Sequence, residues 1–143
     1  MTIKPIISEH IYTRHTSFVV DFHLDMNITL ITGEAGTGKS LVYRILKELS
    51  AENKEIRCFN YLDKNSNYKN SIKRSKRKLF IIDNADILLD DKMRNYIAFD
   101  STNQYIIIGR DPTGLQLTAD EIYELNSEKK DEKTIFTLKH SYP

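Results

Sequence analysis

Apolar residues in this chain follow three rhythms, and each predicts an element. Between Ser17 and Asp25, Phe18, Val20, Phe22 and Leu24 alternate with neighbours of the opposite face, the period-two pattern of a half-buried strand. Ile28–Thr32, Leu79–Asp83 and Tyr105–Gly109 are instead continuous apolar runs, which suit strands covered on both faces. Residues 41, 42, 45, 46 and 49 are apolar at helical spacing after Ser40, and a second helical pattern passes through Met93, Tyr96, Ile97 and Phe99. Short strands are expected over Glu55–Asn60 and Thr134–Leu138. Thr118-Ala119-Asp120-Glu121 reads as a capping box, with Leu117 and Ile122 as its hydrophobic staple, and predicts a helix over Ala119–Leu125. Asn126–Lys133 then reads as a charged turn.

Composition changes this picture little. The 143 residues suit one domain, with an accessory region over 1–26 and a polar, basic loop over 61–78. Net charge is +1, so any polyanion binding must be local. Cys58 is the single cysteine, which excludes an internal disulfide and a cysteine-based metal cluster. No apolar run reaches the length of a membrane span and the first residues lack a signal-peptide core, so a cytoplasmic protein with no membrane partner is expected. Lys69, Lys73, Arg74, Lys76, Arg77 and Lys78 crowd into ten residues without an acid. The plain reading is a solvated loop or helix face; the sharper one is a surface for nucleic acid or an acidic partner. His10, His15 and His23 read as surface residues, because no spacing groups them as ligands.

The specific signal is Gly33-Glu34-Ala35-Gly36-Thr37-Gly38-Lys39-Ser40, which fits G-x-x-x-x-G-K-[ST] between a predicted strand and a predicted helix. Glycines let successive N–H groups turn inward onto an anion, and the helix N-terminus adds partial positive charge. Residues 33 to 41, from Gly33 through Leu41, are the expected phosphate cradle. Lys39 would reach the outer phosphates, and Ser40 would ligate Mg²⁺. Asp83, at the C-terminal end of an apolar run, is the expected second metal residue.

The order of loop, intervening strand, Phe80-Ile81-Ile82-Asp83-Asn84-Ala85-Asp86, helix and Ile106-Ile107-Ile108-Gly109-Arg110-Asp111 resembles the additional-strand P-loop ATPases, the group of AAA, RecA-like and ABC or SMC-like domains. The resemblance covers about residues 17–138, and only Gly33–Ser40 is specific within it. It implies a three-layer α/β P-loop NTPase fold whose mostly parallel sheet is ordered 5-1-4-3-2, plus the N-terminal accessory strand. That order would place Tyr105–Gly109 between Ile28–Thr32 and Leu79–Asp83. It also implies ATP and Mg²⁺ as ligands, with Lys39, Asp83, Asn84 and Arg110 as the catalytic set. Asn84 departs from the pattern, since a glutamate usually follows the metal-binding aspartate as the base, and an amide can orient water but not take its proton. Asp86 and Glu34 are nearby carboxylates to which the motif gives no role. Arg110 stands where these families carry a sensor facing the γ-phosphate. No helical lid, ABC signature or guanine-reading motif is present. The expectation is therefore a slow or partner-stimulated ATPase, acting with a protein partner or as a homo-oligomer. The alternative is a nucleotide-dependent switch that scarcely hydrolyses, with Lys69–Lys78 as a nucleic-acid contact.

Overall fold

A computed structural model describes residues 4–34 and 36–142. The chain opens with a hairpin, β1 (His10–His15) and β2 (Phe18–His23), and enters β3 (Ile28–Thr32). Then come α1 (Lys39–Glu52), β4 (Ile56–Phe59), a 3-10 turn at Tyr61–Asp63, α2 (Tyr68–Arg74), β5 (Leu79–Ile82), α3 (Ala85–Leu88), α4 (Asp91–Phe99) and β6 (Gln104–Ile108). A 3-10 turn at Ala119–Glu121 leads into a closing hairpin, β7 (Ile122–Lys130) and β8 (Lys133–His140).

All eight strands join one sheet, in the order β1-β2-β8-β7-β3-β6-β5-β4. The pairs β1–β2 and β7–β8 are antiparallel. The contacts of β3 with β6 and β7, of β5 with β4 and β6, and of β2 with β8 are parallel. The expected three-layer fold, with a mostly parallel sheet ordered 5-1-4-3-2 and one accessory strand, is thereby corrected. Among the described residues a mixed sheet of eight strands curls into a half-barrel and carries four helices, of 14, 7, 4 and 9 residues.

The difference comes from strands whose sequences hide them. β1 reads HIYTRH and buries only Ile11 deeply, so no apolar alternation announces it. β7 begins apolar but ends Ser127-Glu128-Lys129-Lys130, exposed and charged, which reads as a turn. It is held extended by its partner, with Leu125 opposite Leu138 and Ser127 opposite Phe136. The capping-box glutamate does form its bond, Glu121 Oε1 accepting from Thr118 N at 2.9 Å, yet one 3-10 turn is formed instead of a helix through Leu125. Ile122, Tyr123 and Leu125 are buried from a strand.

Two apolar clusters flank the sheet. Val42, Ile45 and Leu46 of α1 pack with Phe22, Ile31, Ile81, Ile106 and Phe136. Tyr68 and Ile72 of α2, Leu88 of α3 and Met93 and Ile97 of α4 pack with Leu30, Phe80, Ile82 and Tyr105. β6 lies between β3 and β5 and is wholly buried, so the C-terminal ends of β3, β5 and β6 open side by side onto the loop before α1.

Candidate functional site

The turn out of β3 is shaped by glycine. Gly38 has φ +101°, and a Cβ there would stand 2.8 Å from Phe136 Cε1 of β8. Only a residue without a side chain satisfies both the left-handed backbone and that contact. Gly38 is also the N-cap of α1, so the helix starts with no side-chain cap, and its first turn has no acidic residue. Among the described residues no side chain caps the leading N–H groups of this 14-residue helix, whose N-terminus carries partial positive charge.

Lys39 closes the loop on itself. Its Nζ donates to the carbonyls of Gly33 at 2.8 Å and Glu34 at 2.6 Å, and lies 3.3 Å from Thr37 Oγ1. The Thr37 hydroxyl in turn donates to Glu34 O at 3.1 Å. All of these partners belong to the loop, and among the described residues no ion pair within 4.0 Å neutralises Lys39.

Asp83, just after β5, lines the same cleft. Burial pushes its carboxyl above the usual carboxylate range, against the opposing pull of the Asn84 N–H and the charge of Lys39. Lys39 is shifted the other way, below its ordinary value, first by desolvation and then by the nearby Arg110, with Asp83 and Glu34 acting against the shift. Each group is thus partly desolvated without a direct partner of opposite sign. Space for an anion beside the lysine and a cation beside the aspartate is what this arrangement offers.

The cleft encloses about 530 Å³ and is lined by Gly36, Gly38, Lys39, Ser40, Leu41, Asp83, Asn84, Asp86, Ile87, Ile108, Gly109 and Arg110. Of the residues singled out from sequence, Gly36, Gly38, Lys39, Ser40, Leu41, Asp83, Asn84 and Arg110 therefore meet around one opening. Gly33, Glu34 and Thr37 belong to the same loop and hold Lys39. Ala35 lies outside the described residues.

Asn84 has φ +51° and ψ +44°, the left-handed region that asparagine tolerates better than most residues. Its backbone N–H donates to Asp83 Oδ1 at 2.9 Å. Its side chain does not cap α3. Asp86 is already committed, as its two carboxylate oxygens accept from Arg110 N at 2.8 Å and Asp111 N at 3.0 Å. Arg94 reaches the same carboxylate at 3.4 Å and donates to the carbonyls of Asp111 and Thr113. Asp86 and the buried Arg94 together fix the segment that carries Arg110. Sequence pattern assigned Arg94 no part in this. An arginine three and four residues before Ile97 and Ala98, on the apolar stripe of a predicted helix, is the signal that could have found it.

The basic stretch is partly spent. Tyr68 and Ile72 bury one side of α2, so the expected loop over 61–78 is partly helical. Lys69 pairs with Asp90, Lys78 Nζ donates to Lys54 O at 3.1 Å, and Lys73 lies 5.8 Å from the ring centre of Tyr96. Arg74, Lys76 and Arg77 are exposed. Cys58 is partly buried, and desolvation pushes its thiol up to about 11, out of the range of a reactive thiolate. Among the described residues no helix is long and apolar enough to cross a membrane.

Comparison with protein-family models, with curated proteins and with solved structures finds no match for this chain. With a mixed, curled sheet of eight strands and no matching family, the resemblance to the additional-strand ATPases is corrected and does not stand as a family assignment.

Proposed function

We propose that the cleft binds ATP with Mg²⁺ and that the protein turns it over slowly, by itself or when stimulated by a partner. The observation that carries this reading is that Lys39 and Asp83 line one cleft. Lys39, at a glycine-shaped helix N-terminus and without an ion pair among the described residues, lines the same opening as the buried carboxylate of Asp83. Phosphate oxygens take up the loop N–H groups and share the Lys39 ammonium with the Gly33 and Glu34 carbonyls. Ser40 and Asp83 hold the metal, which restores the charge balance that burial of Asp83 denies. Arg110, presented by Asp86, stands to neutralise charge on the outer phosphate. MgATP abounds in the cytoplasm, the setting this reading favours.

Low intrinsic turnover is expected from the groups beside Asp83. Asn84 carries an amide, and Asp86 accepts hydrogen bonds from two backbone N–H groups and Arg94, so neither is a ready base for water. The same groups leave room for a second reading, in which nucleotide occupancy sets a conformation and a partner reads it. Turnover at saturating MgATP separates the two. Lys39→Ala and Asp83→Ala should abolish whatever hydrolysis the wild type shows. Asn84→Glu should raise it by ~10²-fold or more, the usual worth of a positioned base. An unchanged rate in Asn84→Glu would show that the missing base is not why turnover is slow.

Contact with nucleic acid belongs to this second reading. With Lys69, Lys73 and Lys78 engaged within the protein, Arg74, Lys76 and Arg77 are the cations left to meet phosphates. Three contacts correspond to a slope of log K against log salt of about −2.7 for duplex DNA. Binding without salt dependence, or none at low salt, would rule out this surface.

A further inference from the structure

We propose that His10, Asp21 and His23 form a transition-metal site on the outer face of the β1–β2 hairpin, taking Zn²⁺ or a similar divalent ion. Strand pairing brings together residues that are far apart in spacing. His10 lies directly opposite His23 in the antiparallel register, and Asp21, two residues before His23, shares its face. Their ligand atoms all lie within 4.8 Å of one another. His10 Nε2 is 2.5 Å and His23 Nε2 is 3.5 Å from the same oxygen, Asp21 Oδ1. The two imidazoles stack with centroids 4.3 Å apart and planes 6° apart, so both rings present Nε2 toward that carboxylate.

Two imidazoles and one carboxylate, with positions left open, make a donor set suited to Zn²⁺ and other first-row ions rather than to Mg²⁺. Ligand atoms about 2.05 Å from a tetrahedral ion stand about 3.3 Å from each other. The His23–Asp21 separation is already near that; His10 Nε2 has to draw back from Asp21 Oδ1, and the parallel rings have to turn so that both Nε2 lone pairs meet one ion. The backbone beneath is held from both sides. Ser8 Oγ bonds the carbonyl and N–H of His10, and Leu24 N donates to Glu9 O at 2.8 Å. The side chains of His10, Asp21 and His23 are 46%, 31% and 73% exposed, so an ion enters from solvent and a further ligand can complete its shell.

The test is calorimetric titration of Zn²⁺ into the full chain, without nucleotide, beside His10→Ala, Asp21→Asn, His23→Ala and, as control, His15→Ala. His15 is on the same hairpin but pairs with Glu48 on α1. One equivalent should bind to the wild type and to His15→Ala alike, with affinity reduced at least ~10-fold in each of the other three. Co²⁺ absorption should report the same pattern. Melting curves of the metal-free variants show whether each is folded, and an unfolded variant is replaced by His10→Gln or His23→Gln. Absence of binding to the wild type, or wild-type affinity in both His10→Ala and His23→Ala, would overturn the site.

Discussion

At the scale of residues, the proposed site sets stability against binding. The Asp83 carboxyl is held above its ordinary value of 3.8 by burial, so across that window the folded chain binds more protons than the unfolded one. Stability contributed by Asp83 is therefore present at low pH and falls as pH rises through the raised value. At neutral pH the whole penalty is in force. Asp83→Asn should raise the melting temperature of the nucleotide-free protein at pH 7 by roughly 2–5 °C, an advantage that fades in acid. The same variant should lose the Mg²⁺ dependence of nucleotide binding, and a lower melting temperature at pH 7 would contradict the assignment. Gly38 tests the loop from the other side. Gly38→Ala places a methyl against Phe136 in a left-handed backbone, and should cost about 2–3 kcal/mol in urea unfolding. A loss below ~0.5 kcal/mol would mean the turn can relax away from β8. Lys39, Ser40 and Asp83 were legible as candidates because their motif is local in sequence. The work of Asp86 and Arg94 was not, because it depends on the segment after β6, some twenty residues away.

At the scale of elements, continuous apolar runs were the readable ones. β3, β5 and β6 are buried along almost their whole length, so their sequences have no polar face to confuse the pattern. The hairpin β7–β8 was obscured because its outer half is charged and its turn lacks glycine. Asp131 and Glu132 both have positive φ, at 52° and 64°, the requirement of a type I′ turn that Asn-Gly meets best. Glu132→Gly should therefore stabilise the protein by ~1 kcal/mol, read as a shift of the unfolding midpoint. A destabilised variant would show that Glu132 makes interactions outweighing its backbone cost. The Thr118–Glu121 box does form a cap, but long-range pairing decides the conformation of the residues beyond it. Ile122 and Tyr123 lie beside Leu30 and Ile31 of β3, and that burial outweighs a short helix.

At the scale of the whole molecule, local motifs did not determine architecture. A strand, glycine loop and helix can be set into more than one sheet, and this one, with its antiparallel hairpins, is a curled half-barrel. The cleft sits at the C-terminal ends of β3, β5 and β6, so a ligand there bridges the loop before α1 and the segments after β5 and β6. Binding at that junction couples to global stability: a ligand at 100 times its dissociation constant adds about 2.7 kcal/mol. The most direct measurement is a calorimetric titration of MgATP into the wild type and Lys39→Ala, with turnover measured on the same samples. One nucleotide should bind per chain, dependent on Mg²⁺ and weakened at least ~100-fold by Lys39→Ala, with slow turnover that Lys39→Ala abolishes. Absence of binding to the wild type, or equal binding to Lys39→Ala, would show that the cleft is not a nucleotide site.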